Sequence, residues 1–232
     1  MQKALHPFTN KLISYKEYKE FSLTNNYTTL NVTPKTTCPV CHNDLNARAG
    51  QKQDNGHFAH QTNDVCPTKE PAARPYLGLT EFPVDATIVN ANKDFTKNNI
   101  EAIFSEISNI AIYLDLKEFI SILKEAKRLN IYKYVNLVPE YIPYVLVTLI
   151  NFLPKNSYQK KRNLKFMFFY ENHIQNFEDL WINNGINSKL YRISYDGSTT
   201  KKVTLIPTNT IYLTSITRTL SQKQKEWCIK EL

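Results

Sequence analysis

Three of the four cysteines and three of the five histidines fall between Cys38 and Cys66. The pattern is Cys38-x2-Cys41-x15-His57-x2-His60-x5-Cys66. Thiolate and imidazole are the ligands zinc favours in closed tetrahedral sites, and a Cys-x-x-Cys turn aims two thiolates at one point. Pro39 suits the chain reversal between the pair. The second half of the site must return from the far side of a hairpin, which the following gap allows. The spacing therefore points to a structural zinc ion held by Cys38, Cys41, Cys66 and one histidine.

Five candidates compete for four places. If residues 57–60 are extended, His57 and His60 point to opposite faces, because strand side chains alternate. His60 lies nearer Cys66 and is the preferred ligand, with His57 the alternative. If the segment is helical instead, both histidines share a face and Cys66 becomes the odd one out.

Other cysteine chemistries fit less well. Cys38-Pro39-Val40-Cys41-His42 satisfies the haem-attachment pattern, yet that reading leaves His57, His60 and Cys66 without a role. A redox pair belongs at a strand-to-helix junction of a βαβ unit, which this segment does not resemble. A catalytic zinc needs an open coordination position, and the soft ligands here fill it. Cysteines clustered in this way in a reducing compartment indicate metal rather than disulfides. Cys228, beside Trp227, reads as a core residue of the last helix.

The elements around the cluster follow from local pattern. Residues 12–36 carry Tyr, Phe, Thr and Val in short runs around Asn25-Asn26, which reads as a strand pair feeding the knuckle. A second hairpin turns between Gly50 and Gly56 and returns through Gly56-His57-Phe58-Ala59-His60. Pro67, Pro71, Pro75 and Pro83 then mark the best boundary in the chain, because each removes a backbone donor and disfavours helix before it. From Asn98 the pattern becomes helical, with Ile100, Ile103, Phe104 and Ile107 and then Leu116, Phe119, Ile120 and Leu123 at three- and four-residue steps. A further apolar helix is expected from about Tyr141 to Leu153. Strands are expected over Leu164–Tyr170 and Ser188–Tyr195, separated by an amphipathic stretch, Ile174–Ile182. Asp196-Gly197 is a hairpin signal before Lys202–Ile206, and Leu220–Leu232 closes as a short helix. The fold class is α+β: a zinc-ribbon-like β module over 1–70, a Pro-rich linker over 71–97, and a mixed α/β domain over 98–232.

The run Cys38-Pro39-Val40-Cys41, with Leu45, Arg48 and Gly50, then Gly56-His57-Phe58-Ala59-His60 and Cys66, resembles the N-terminal module of competence CoiA-like proteins. The resemblance covers roughly residues 27–66. It implies a bacterial protein working near DNA, in DNA processing, uptake or phage defence. In that family the module precedes a nuclease-like domain. Here the acidic residue and His–Lys pattern expected after Cys66 give way to Pro67-Thr68-Lys69-Glu70-Pro71, so the catalytic part is not carried over. Nuclease chemistry needs carboxylates around a divalent metal, with a lysine nearby. Asp115, Lys117 and Glu118 are close in sequence, but they read as the solvated face of a helix, as do Glu178 and Asp179. His173 reads as a strand-end histidine. No catalytic set is named.

A formal net charge of +8 on 232 residues favours a polyanionic partner. Lys155, Lys160, Lys161, Arg162 and Lys165 follow one another with no acid between them, interleaved with Tyr158 and Phe166. Phosphates need such cations and bases need exposed aromatics, so Lys160, Lys161, Arg162 and Lys165 are the candidate nucleic-acid contacts. Lys189, Arg192, Lys201 and Lys202 bracket the hairpin expected at Asp196-Gly197. No apolar run has the length of a signal peptide or membrane span, which places the protein in the cytoplasm with no membrane partner. Three functions remain: a non-enzymatic zinc protein associated with nucleic acid, a protein-interaction subunit of a DNA-processing or defence assembly, and a metal-dependent nuclease with an unrecognised active site.

Overall fold

The computed structural model describes residues 1–9, 11–50, 55–61, 66, 85–133, 137–156, 161–170, 182–183, 186–187, 189–197 and 199–232. Mixed α+β architecture is what it shows. The amphipathic stretch expected over 174–182 lies outside these residues up to Ile182.

Five short strands form an N-terminal antiparallel sheet: β1 (Lys3–Leu5), β2 (Leu12–Ser14), β3 (Thr36–Thr37), β4 (Asp44–Arg48) and β5 (His57–His60), in the order β2-β1-β3-β4-β5. Helix α1 (Tyr15–Thr24) follows β2 directly. This corrects the strand pair expected over 12–36. Ser14 and Glu17 form a reciprocal capping box, the serine hydroxyl accepting from Glu17 N–H and the carboxylate accepting from Ser14 N–H. Tyr15, Tyr18 and Ser22 then line one buried helical face. The aromatic, β-favouring composition misled, and Asn25-Asn26 ends a helix instead of turning a hairpin, with Asn26 left-handed at φ 59°.

Helices α2 (Ala86–Asn98), α3 (Ile100–Ile110), α4 (Leu116–Arg128) and α5 (Ile142–Leu146) come next. The helical region thus starts at Ala86, inside the stretch assigned to the linker. Asp85 caps it by accepting from Thr87 N–H. Its two buried side chains are polar, Asn92 and Thr96, so no apolar period announced it. Asn92 donates to the Tyr132 carbonyl across the interface. α5 spans only five residues of the apolar run expected to be helical through Leu153. Pro143 starts it, and the β-branched Val145, Val147 and Thr148 weaken its continuation.

After the hairpin β6 (Lys155–Asn156) and β7 (Lys161–Arg162) comes β8 (Lys165–Tyr170). A two-residue pair, β9 (Ile182–Asn183) and β10 (Ile186–Asn187), precedes the long hairpin β11 (Leu190–Asp196) and β12 (Thr199–Ile206). The larger sheet has the order β12-β11-β8 and is antiparallel. Helix α6 (Gln222–Ile229) closes the chain, with Cys228 buried as expected. Among the described residues no helix is long and apolar enough to cross a membrane.

The β8 sequence, Lys-Phe-Met-Phe-Phe-Tyr, is apolar on both faces because both are covered. Phe166, Phe168 and Tyr170 join the helical core of α3, α4 and α5, together with Leu190 and Ile206. Met167 and Phe169 point the other way and join Tyr191, Ile193, Tyr195 and Val203. That second set packs with Ala4, Tyr18, Val40, Leu45, Phe58, Cys38 and Cys66 of the N-terminal sheet. The sheet is therefore a middle layer, and among the described residues the N-terminal module shares its core with it.

Truncating Phe169, which is buried on the module side, should cost about 3–5 kcal/mol. Hydrogen exchange on Phe169→Ala is expected to accelerate in β4 and β5 more than in α3 and α4. Unchanged protection in β4 and β5 would contradict a shared core.

Candidate metal centre

Cys38, Cys41, His60 and Cys66 come together, each offering one ligand atom, with all four atoms within 4.8 Å of one another. Cys38 follows β3, and its chain reverses through Pro39 and Val40. Cys38 N–H donates to the Asn43 carbonyl at 2.9 Å, and His42 N–H donates to the Cys38 carbonyl at 3.0 Å. His42 adopts φ 58°, the left-handed conformation that closes the turn. Within this knuckle Val40 N–H donates to Cys38 Sγ at 3.4 Å. The Asn43 backbone N–H reaches Cys41 in the same way.

His60 arrives from β5, paired opposite Leu45 of β4. His57 pairs opposite Arg48, three residues away and so on the other face of the strand. Odd spacing decides between them: His60 Nε2 lies 3.3 Å from Cys41 Sγ, while His57 stands outside the group. Burial, together with the positive charges of the Met1 amino group and Arg48, holds His57 below the usual imidazole range. Cys66 completes the group from the far side, its Sγ 3.7 Å from Cys38 Sγ.

These separations suit a tetrahedral ion. Zn–S bonds of about 2.3 Å and Zn–N bonds of about 2.0–2.1 Å imply tetrahedron edges of roughly 3.8 Å between sulfurs and roughly 3.6 Å from sulfur to nitrogen. The corresponding edges here are 3.7 and 3.3 Å. A disulfide needs sulfurs at about 2.0 Å, and none of the four cysteines forms one. Without a cation the crowded sulfurs oppose ionisation. Cys38 is pushed far up by hydrogen bonds with Cys41 and Cys66 and by burial. For Cys41 the bond to Cys38 pulls downward, but the bond to Cys66, burial and the Cys66 charge outweigh it and raise the thiol to about 11. A cation at the centre removes that opposition, and the donor set of three sulfurs and one imidazole fits zinc.

Tyr195 of β11 was not singled out by the sequence, yet it belongs to the same buried cluster as Cys38 and Cys66. Burial first, then the charges of Cys66 and Cys38, hold its phenol well above the usual range. Its hydroxyl is buried without a hydrogen-bond partner among the described residues. Strand alternation with Tyr191 and Ile193 was the available signal, but nothing in the sequence says which core that face meets.

The basic run behaves differently from its sequence reading. Lys160 lies outside the described residues, Lys161 is exposed and Lys165 half-buried. Arg162, expected to be a nucleic-acid contact, is only 5% exposed. Its guanidinium is bound to Glu118, donates from Nε to the Leu153 carbonyl at 2.6 Å, and lies over the rings of Phe166 and Phe152. Lys155 pairs with Asp115 and Lys201 with Asp196. Arg192 donates to the Ile110 carbonyl and stacks on Phe166. Lys202 is exposed.

Asp115 and Glu118 are correspondingly not a merely solvated face. They form the capping box of α4 while holding Lys155 and Arg162. Lys117 is exposed. His173, Glu178 and Asp179 lie outside the described residues. Among the described residues, the Cys/His group is the only set of three or more His, Cys, Asp or Glu side chains close enough to share an ion.

The model of the competence protein CoiA N-terminal domain matches residues 24–69 of this chain. That span contains the whole Cys/His group and stops before α2. No curated protein matches the chain, and no solved structure does.

Glu118→Ala leaves a buried guanidinium unpaired and should cost about 3–5 kcal/mol in urea unfolding. Lys161→Ala, at an exposed site, should stay within about 0.5 kcal/mol. Equal small effects would contradict a buried Arg162–Glu118 pair.

Proposed function

We propose that Cys38, Cys41, His60 and Cys66 hold a structural zinc ion, and that the protein works as a zinc-stabilised, nucleic-acid-associated protein. The observation that carries the zinc assignment is the pair of edges, 3.7 and 3.3 Å, between ligand atoms that lie far apart in sequence. Zinc bound there supplies a cross-link that a small sheet of two- to five-residue strands needs. The knuckle sets two sulfurs, β5 turns His60 inward, and Cys66 closes the fourth side. With four protein ligands no coordination position is left for substrate, so the site is a fold element and not a reaction centre.

Association with nucleic acid is supported by the formal charge of +8 and by the match of residues 24–69 to a competence-protein domain. Lys160, Lys161 and Lys165 are the cations of the basic run assigned to phosphate, with Arg162 reserved to the fold. A second reading, a protein-interaction subunit, is favoured by one surface feature. The rings of His6, Phe8, Phe21 and Tyr27 pack in series in tilted and edge-to-face contacts, with Phe8 69% exposed and Leu23 and Val32 exposed on the same module.

Purified protein is expected to contain one zinc per chain by elemental analysis. Cys38→Ser and His60→Ala should lose it, and His57→Ala should keep it. Retention of zinc by the His60 variant together with its loss from the His57 variant would reverse the ligand choice.

Neutralising Lys160, Lys161 and Lys165 to glutamine should weaken DNA or RNA binding. The logarithmic salt slope should then fall by roughly one per lysine that contacts phosphate. Gel-shift titrations at two salt concentrations read both quantities. Absence of any shift, with a stable co-purifying protein, would favour the interaction-subunit reading.

A further inference from the structure

Around the end of α4 the carboxylates are already taken. Glu125 binds Arg128 in a bidentate pair at 2.7 and 2.8 Å, and Glu231 pairs with Lys124 at 3.8 Å. Lys127, beside them, has no ion pair among the described residues, and neither have Lys93 of α2 and Lys133. These three lysines line one cavity of about 100 Å³ together with Asn130. Val89, Tyr132 and Leu232 supply its apolar lining, and no acidic side chain lines it among the described residues.

Local structure brings the cations together. Val89 and Lys93 share a face of α2 at four-residue spacing. Lys127, Asn130 and Lys133 follow at steps of three: Asn130 N–H donates to the Lys127 carbonyl at 3.1 Å, and Lys133 N–H to the Asn130 carbonyl at 3.0 Å. Asn130, left-handed at φ 54°, bends the chain between α4 and the 3-10 turn Ile131–Lys133. The Asn92 side chain, donating to the Tyr132 carbonyl at 3.2 Å, pins α2 to that turn. Lys93 and Lys133 are half-buried there. Cations of one sign around a cavity with apolar walls focus the field on it, and an anion relieves their repulsion. Size selects the anion. The cavity is far below the roughly 300 Å³ at which small-molecule pockets begin, yet several times what one water needs. It has room for a tetrahedral phosphate group and none for a base or sugar.

We propose that Lys93, Lys127 and Lys133 form a pocket for one phosphate group, supplied by a nucleic acid. Lysine serves phosphate as a point charge with three donors, and here three such donors surround one space. The pocket lies outside the basic run of the β6–β7 hairpin. Its source of phosphate rests on the nucleic-acid reading above.

The test uses full-length protein with zinc added and a labelled single-stranded oligonucleotide, with or without a 5′-phosphate, titrated at two salt concentrations. Lys93→Gln/Lys127→Gln/Lys133→Gln should bind more weakly than wild type, with the logarithmic salt slope reduced by about 0.7 because one phosphate contact is lost. The control Lys3→Gln/Lys16→Gln/Lys223→Gln removes the same charge from exposed positions and should keep the wild-type slope. A preference for the 5′-phosphate that disappears in the pocket variant assigns the pocket to a strand end, and equal loss with both oligonucleotides assigns it to the backbone. A slope reduced by about two or more marks separate surface contacts. That result, an unchanged slope, or an equal change in the control overturns the proposal and leaves nucleic-acid association standing. Wild type that binds neither oligonucleotide overturns the nucleic-acid reading, and inorganic phosphate then decides the pocket. Phosphate-dependent shifts of the Asn130 and Ile131 amide resonances in wild type and not in the pocket variant support it; their absence from wild type overturns it.

Discussion

The three-stranded sheet is covered on both faces, and most of the architecture depends on that. In β8 the side chains alternate between two cores, Phe166, Phe168 and Tyr170 against the helices and Met167 and Phe169 against the N-terminal sheet. A one-residue slip in the pairing of β8 with β11 would exchange those sets and put Lys165 at a buried position. Register is therefore specified from both sides at once. The same alternation in β11 sends Tyr191, Ile193 and Tyr195 toward the module that carries the cysteines.

Because of that layer, the metal centre is not an isolated knuckle at the end of a linker. Strands of two to five residues, such as β3 and β4, bury little apolar surface by themselves. Their sheet is completed from below by the β11 and β8 side chains and from within by the Cys/His group. The two supports meet at Cys38 and Cys66, which are both core residues and ligand candidates. A metal there and a packed sheet beneath it stabilise the same set of backbone contacts.

Much of this was legible in sequence where local chemistry is strict. Two residues between cysteines, Asp196-Gly197 in a hairpin and three-four spacing in α3 and α4 each have one ready structural meaning. The odd spacing of His57 and His60 likewise separates them by face as soon as the segment is a strand. What sequence missed depends on tertiary partners. α2 buries Asn92 and Thr96, whose polarity hides its period, and α1 is aromatic enough to resemble strands despite the Ser14–Glu17 cap. Continuous apolarity at 141–153 fits a buried irregular segment as well as a helix. Nothing local connects Tyr195 to cysteines more than a hundred residues away.

Charge shows the same divide. A run of lysines and arginine counted along the chain looks like one surface patch, yet the fold distributes it by environment. Arg162 is drawn inward because a planar guanidinium can lie between Phe152 and Phe166 while still donating to Glu118 and to the Leu153 carbonyl. Lys161, with a strongly hydrated ammonium, stays outside on the neighbouring position of the same two-residue strand. Lys155 and Asp115 form a second bridge from the same hairpin to the start of α4. The hairpin thus anchors through Lys155 and Arg162 and leaves Lys161 to solvent. Formal charge therefore overstates what a polyanion meets: the cations free to attract phosphate are those the fold does not use, and the ion pairs at α4 decide which they are.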